Sequence, residues 1–355
     1  MRRHVTDRAR RAATSTLIAA VASAVMLTGC ASPAPSEPAS SEGDEALSPV
    51  TFALDWAPNT NHIGVYVADA LGYFEEAGLD VQILPYGSAS SPQLVSAGEA
   101  DFGIGGQANV QTARTAGLDV VSVFRITQTD TGRLVVLGDR DDVERPADLD
   151  GLVFGGFGAP LYSALAEATI VGDGGEGEFD EVVLDTGAYE ALSQGRIDFT
   201  LSVATWEGIQ TELDGDPYRA FRYQDYGVPQ QQSTGIISSD AYLAEHPEEA
   251  AAFVQAVQRG YAYATEDPDA AADILIEANP DTLGNAEELV RTSARLMATD
   301  GYFTIEGRAI GEADPQAWDE FGAFLVDGGF LGDAAGETVT EVPDWSAYYT
   351  DDLLP

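Results

Sequence analysis

The segment from Leu54 to Gly87, LDWAPNTNHIGVYVADALGYFEEAGLDVQILPYG, constrains the fold of this 355-residue chain more than any other stretch. It reads as a strand (50–56), a polar turn, a helix and a second strand (79–84). The turn at 57–61 holds a proline and two asparagines, residues that bend the backbone and offer side-chain hydrogen bonds. Thr60 or Asn61 is expected to cap a helix whose apolar face is Val65, Ala68 and Leu71. Open α/β sheets bind ligands outside the carboxyl ends of their strands. Trp56, Asn59, Asn61 and His62 would therefore gather at such an end.

Short apolar runs alternate with helical patterns through the rest of the chain, which points to parallel sheets with crossover helices. Strands are predicted at 100–104, 120–124 and 133–137, with helices at 92–97 and 109–116. The charged run DRDDVERPADLDG then leads into a second series. That series has strands at 152–154, 181–184 and 198–203, helices at 161–170 and 187–194, and a segment at 220–223. Residues 235–238 return toward the first series, and 241–330 read as helical. A lobe interrupted by a second lobe, with two connecting strands, is the plan of type II periplasmic binding proteins. The predicted fold class is accordingly α/β: two lobes, each a mixed sheet flanked by helices, joined by a two-strand hinge. Lobe I is assigned to 50–138 and 232–355, and lobe II to 139–231.

Residues 1–30 carry five arginines, an apolar run from Leu17 to Leu27, and then Thr28, Gly29 and Cys30. This is the layout of a signal peptide (1–29), its apolar core too short to span a bilayer. Small residues before a lone cysteine resemble a bacterial lipoprotein signal, with lipid attached to Cys30 after cleavage. An ordinary secretory peptide that happens to hold a cysteine is the alternative. A single cysteine excludes intramolecular disulfides and cysteine-rich metal clusters. The segment 30–49 is rich in Pro, Ser and acid and buries too little to fold, so it is expected to be a flexible tether. Every basic residue is arginine, and loss of 1–29 takes the formal charge from −42 to −46. So acidic a surface repels phosphate backbones and argues against nucleic acid as a partner. Its plain meaning is solubility.

The wording of 54–87 closely resembles solute-binding proteins related to the fungal hydroxymethylpyrimidine synthases of thiamine biosynthesis. Members of that group open on a strand followed by D-W-x-P-N-T-N-H, then G-Y-F-x-x-x-G-L-D-V. Asp55, Trp56, Pro58, Asn59, Thr60, Asn61 and His62 match the first motif, and Gly72–Phe74 and Gly78–Val81 the second. Trp206 and Glu207, just past DFTLSV, match an acidic pair that precedes a Tyr-Gly-Val-Pro turn, present here at 226–229. The resemblance implies ligand contacts from Asn61 and His62, and an indole from each lobe (Trp56 and Trp206) closing on a flat ring. Glu207 would accept from an exocyclic amine or a protonated ring nitrogen. Taken alone, either tryptophan reads as core packing; Glu207 is compatible with a solvated helix start, and His62 with a first-turn residue facing solvent.

FGIGGQ at 102–107 follows a strand and is expected to line the cleft with glycine backbone and the Gln107 amide. GGFGAP at 155–160 offers backbone N–H groups to a polar ligand atom. Neither is a full nucleotide-binding motif. Tyr162 and Tyr189 are candidates for the rim, and Gln230, Gln231 and Gln232 for amide contacts near the hinge. One histidine at the cleft makes no metal site, and no cofactor is expected.

The function implied by the resemblance is a monomeric, lipid-anchored substrate-binding subunit of an ABC importer, outside the cytoplasm. It would capture an aminopyrimidine precursor of thiamine by hinge closure and deliver it to a membrane permease with its ATPase. The rivals are riboflavin or another flat heteroaromatic, and alkanesulfonate or nitrate. The fungal synthases use a lysine, a histidine and a cysteine-rich iron motif. Where they carry cysteines this chain reads GVPQQQSTGI, and it has no lysine, so catalysis of that kind is not expected. A sensor ectodomain on the same fold is a third class.

Overall fold

The computed structural model describes residues 46–355. The signal peptide, Cys30 and most of the expected tether lie outside the described residues. Ten strands follow one another as β1 (Ser48–Ala53), β2 (Leu79–Leu84), β3 (Phe102–Ile104), β4 (Val121–Arg125), β5 (Gly132–Leu137), β6 (Val153–Gly156), β7 (Asp180–Val183), β8 (Phe199–Val203), β9 (Tyr218–Arg222) and β10 (Gly235–Ser238). They form two five-stranded sheets, in the orders β2-β1-β3-β10-β4 and β7-β6-β8-β5-β9.

The two sheets share one plan. In the first, β1 is parallel to β2 and β3; in the second, β6 is parallel to β7 and β8. Each sheet then takes one antiparallel strand, β10 between β3 and β4, and β5 between β8 and β9. The chain crosses between lobes twice, at 126–131 and 227–234, and each crossing ends in the antiparallel strand of the sheet it enters. The crossings run side by side. Ile126 and Thr127 donate their N–H groups to Thr234 O at 3.0 and 3.1 Å, and Thr127 Oγ1 accepts from Thr234 N at 2.8 Å. They make a two-strand hinge.

Two expectations are corrected by the pairing. RLVVL at 133–137 is a strand, but it belongs to the second sheet, so the first lobe ends before Gly132 rather than at 138. An apolar run announces a strand without announcing its partners, which here lie far downstream. β1 begins at Ser48, inside the expected tether, registered against Leu79, and it stops at Ala53. Residues 54–59 form no strand, because Pro58 and its neighbours turn the chain there.

The first lobe's core is built on stacked phenylalanines. Phe253 lies 4.0 Å from Phe102 and 5.3 Å from Phe74, centroid to centroid. Phe253 stands on the long helix Pro247–Glu266, against which the helix Ile63–Ala70 packs. Residues 63–68 are all buried, as a helix enclosed on every side requires, while Leu71, expected on the apolar face, is exposed. The close approach depends on glycine. A Cβ on Gly260 would lie 1.9 Å from Gly64 O, and one on Gly64 would lie 2.4 Å from the Tyr261 ring. That contact also fixes the turn before the helix, because Tyr261 donates its hydroxyl to Asn61 O. Prolines open the helices Pro247–Glu266, Pro268–Ala278 and Pro315–Asp327, a position where the missing N–H is no loss.

Candidate functional site

The carboxyl ends of β1 and β8 face each other across a cavity of about 340 Å³. Lobe I contributes Trp56, Asn59 and Asn61 from the turn after β1. Lobe II contributes Trp206 and Glu207 from the turn after β8, with Tyr162 and Tyr189 beside them. Asp130 and Gln231, one from each crossing segment, close the cavity at the hinge. A wider groove of about 990 Å³ lies behind the hinge, between the helices Pro160–Gly172 and Pro315–Asp327; it is open to solvent and edged by Glu167, Glu320 and Asp327.

Five of the seven sequence-expected binding residues therefore meet in one cavity. The turn is held by its own polar groups. Asn59 Oδ1 accepts from Asn61 N at 2.9 Å, and Asn59 N donates to His62 Nδ1 at 3.3 Å, an asparagine version of the capping box. The cap is thus Asn59, not Thr60 or Asn61. The remaining ring nitrogen of His62, Nε2, carries the proton and donates to Asp55 at 3.0 Å. With both nitrogens engaged and no exposed surface, His62 braces the turn from behind instead of lining the cavity. Gln107 is displaced in the same way. Its Nε2 donates to Ala317 O at 2.8 Å and its Oε1 accepts from Gln232 N at 3.0 Å, which ties two segments of lobe I to the second crossing. FGIGGQ serves close approach: a Cβ on Gly106 would lie 1.9 Å from Ser233 O in the hinge.

Trp56 stands 40% exposed over the cavity, steadied by Tyr86 at 5.4 Å between ring centroids. Trp206 is half-buried; its backbone belongs to lobe II, yet its ring packs against the lobe I core. Beside it the lobes touch directly. Ser293 Oγ hydrogen-bonds Thr60 Oγ1 at 2.6 Å and donates to Thr205 O.

Glu207 opens the helix Glu207–Asp214 and accepts from Val203 N at 3.2 Å. Burial pushes its carboxyl pKa up, against the pull of these backbone hydrogen bonds. Burial and then the Glu207 charge push Tyr189 up in turn. Asp130, buried at the hinge, accepts from Gly132 N (2.9 Å), Gln231 Nε2 (3.0 Å) and Gln224 Nε2 (3.2 Å). Its pKa is raised by burial despite these donors. Asn61 Oδ1 is buried with no hydrogen-bond partner among the described residues. The cavity is therefore flat-walled at its indoles, rich in acceptors, and free of arginine on its walls. Among the described residues no group of three or more His, Cys, Asp or Glu side chains is placed to hold a metal ion.

Asp130 was not expected at the site, and the two tyrosines were expected only as candidates for its rim. Tyr162 and Tyr189 sit in the first turns of helices that follow lobe II strands, so the strand-end rule that found Trp56 reaches them too. Nothing local marks Asp130, which reaches the site only because the two crossings come together.

The NMT1/THI5 like family profile matches residues 59–271. The formylaminopyrimidine-binding protein of Halalkalibacterium halodurans is 32% identical over 293 residues, 79% of this chain and 86% of that one. The riboflavin-binding protein RibY of Chloroflexus aurantiacus is 26% identical over 334 residues, 86% of this chain and 90% of that one. The 4-amino-5-hydroxymethyl-2-methylpyrimidine phosphate synthase THI5 of Saccharomyces cerevisiae is 23% identical over 242 residues, 65% of this chain and 71% of that one. In fold, the alkanesulfonate-binding protein SsuA of Xanthomonas axonopodis pv. citri, solved with MOPS, superposes with a TM-score of 0.63 at 13% identity, over 81% of this chain and 95% of that one. These shared features identify the architecture as that of a periplasmic binding protein, and the chain belongs to the NMT1/THI5-like family.

Proposed function

We propose that this protein is a solute-binding subunit that captures a 4-aminopyrimidine related to thiamine in the cleft between its lobes. The single observation that carries the reading is the meeting of Trp56, Trp206 and the half-buried Glu207 around one cavity. An electron-poor ring stacks on indole faces, and the carboxylate accepts from the exocyclic amine or a protonated ring nitrogen. Asp130 and Asn61 Oδ1 add further acceptors for N–H groups. Binding on one lobe and contact with the other would favour the closed form by their differential free energy. After export and loss of a signal peptide, lipid on Cys30 would hold the protein at the outer face of a cell membrane, where the closed form meets an ABC permease and its ATPase.

Size and charge weigh the rivals. A cavity of 340 Å³ sits at the small end of ligand pockets, which run from about 300 to 1,000 Å³. One substituted six-membered ring fits it; a three-ring flavin with its ribityl chain needs a wider opening of the lobes. Riboflavin stays the second reading because the RibY relative covers most of both chains. Sulfonate and nitrate would meet acceptors and carboxylates in place of cations. An enzyme of the synthase type would need lysine and several cysteines, and the chain has no lysine and one cysteine.

Calorimetric titration with an aminopyrimidine, riboflavin, taurine and nitrate tests the proposal. Saturable binding of the pyrimidine with a Kd below about 1 μM, or roughly −8 kcal/mol, is expected. Binding of taurine or nitrate with no response to any pyrimidine would overturn it.

A further inference from the structure

Ser202 stands in the lobe II wall of the cavity, one residue before the end of β8. It is 3% exposed, and its Oγ is buried with no hydrogen-bond partner among the described residues. Hydroxyls nearby are not left this way. Thr200 Oγ1 donates to Gly155 O at 2.6 Å, and Thr131 and Ser233 share a hydrogen bond at 3.3 Å. A buried polar atom without a partner is destabilising, and natural folds hold few of them. Stability therefore gives no reason for a hydroxyl here, where alanine would fill the same wall. Asn61 Oδ1, contributed to the same cavity by lobe I, is in the same condition. Each lobe thus brings one unfilled hydrogen-bonding valence to the place where they face each other.

The chemistry of the two valences differs. Asn61 Oδ1 only accepts, whereas a serine hydroxyl donates or accepts by rotation. Ser202 also has a particular neighbour. The next residue, Val203, donates its N–H to the Glu207 carboxylate at 3.2 Å, so hydroxyl and carboxylate flank one strand end. A carboxylate that only accepts, set beside a hydroxyl that can donate, complements a ring edge on which an N–H donor adjoins a nitrogen acceptor. The amine of a 4-aminopyrimidine and its neighbouring ring nitrogen form such an edge.

We infer that Ser202 is a ligand-reading residue: its hydroxyl donates to the ring nitrogen beside the amine that Glu207 accepts, while Asn61 takes a further N–H from the opposite lobe. The inference rests on the aminopyrimidine reading above and adds a specificity group to it. Both valences are filled only when one molecule touches both lobes.

The test is a calorimetric titration of the wild type and Ser202→Ala with 4-amino-5-hydroxymethyl-2-methylpyrimidine, together with thermal unfolding of both proteins without ligand. The variant is expected to bind about tenfold more weakly, as loss of one buried hydrogen bond implies, and to unfold at the wild-type temperature or higher. Binding by Ser202→Ala within about twofold of a binding wild type overturns the inference alone, since the hydroxyl then serves only solvent. A lower unfolding temperature for the variant overturns it too, by showing a structural partner. An alanine variant that fails to fold is the extreme of that result and overturns the inference as well; in Ser202→Cys, a near-isostere with a weaker donor, an intermediate loss is expected, and wild-type affinity in it would refute the role. A wild type that ignores the pyrimidine overturns the functional reading itself.

Discussion

Replacing Gly260 with alanine tests whether the site turn is set by a glycine contact far from the cavity. The new Cβ would lie 1.9 Å from Gly64 O and 2.9 Å from Gly64 C, both backbone atoms that cannot rotate away. A carbon–oxygen contact relaxes to about 3.3 Å, so the helices Ile63–Ala70 and Pro247–Glu266 must part by roughly 1.4 Å. Overpacking of this kind typically costs about 1–3 kcal/mol, and sometimes more. Against it, alanine exceeds glycine in helix propensity by about 1 kcal/mol. A 1.9 Å backbone contact puts the clash at the upper end of that range, so it wins, leaving a net loss of about 2 kcal/mol. At roughly 2 °C per kcal/mol for a chain of this size, the melting temperature falls by about 4 °C. Ligand affinity falls with it, because Tyr261, next along the helix, holds Asn61 O. Thermal unfolding and ligand titration of Gly260→Ala read both effects. Gly187→Ala is the control: its Cβ would meet nothing within 4 Å, on an exposed first helical turn, and unchanged or slightly raised stability is expected. Gly260→Ala as stable as wild type would refute the reasoning, because the two helices would then not be in backbone contact.

Three further outcomes follow from the same geometry. Glu207→Gln is expected to weaken pyrimidine binding roughly 10- to 150-fold, the worth of a charge-assisted hydrogen bond of about 1.5–3 kcal/mol, while stabilising the ligand-free protein at neutral pH. Burial raises the folded-state pKa of Glu207 above its unfolded value, so its charge opposes folding. That penalty is absent below the unfolded pKa, grows as pH rises through the folded pKa, and persists above it; a gain of equal size in acid would contradict the assignment. His62→Ala removes both braces of the turn and should lower stability by about 2–4 kcal/mol and weaken binding without touching ligand; full affinity at reduced stability would separate the turn from the site. Gln232→Ala strands the N–H groups of Asp314 and Trp318, which its Oε1 accepts at 2.9 and 3.2 Å, and should cost about 1–3 kcal/mol in urea unfolding; an unchanged midpoint would mean that other groups accept these donors.

Much of the architecture was legible from local pattern. The alternation of apolar runs and helical stripes marks the strands, and the late return of 235–238 implies the interrupted lobe. What local pattern cannot show is partnership. β5 reads as a strand from RLVVL alone, yet its place beside β8 and β9 depends on residues far downstream. The same limit governs the site. Trp56, Asn59 and Asn61 were readable because they follow a strand end, whereas Trp206 and Glu207 needed the family motif as well. His62 was misplaced although a signal existed: Asn59 and His62 have the N-cap and N3 spacing at which a side chain turns back to the cap. Gln107 was misplaced because its partners, Ala317 and Gln232, come from distant segments. Gln231, expected near the hinge together with Gln230 and Gln232, does line the cavity, whereas Asp130 faces it only because the two crossings meet there.

Tryptophan emission offers the most direct measurement of the central claim, that two indoles from opposite lobes close on a flat heterocycle. Of four tryptophans, Trp318 and Trp345 are buried in the core, while Trp56 and Trp206 line the cavity. Titration with 4-amino-5-hydroxymethyl-2-methylpyrimidine should quench the emission saturably in the wild type and leave it unchanged when Trp56 and Trp206 are both phenylalanine. Unquenched emission across the pyrimidine titration, with a saturable response to taurine or nitrate, would contradict the account.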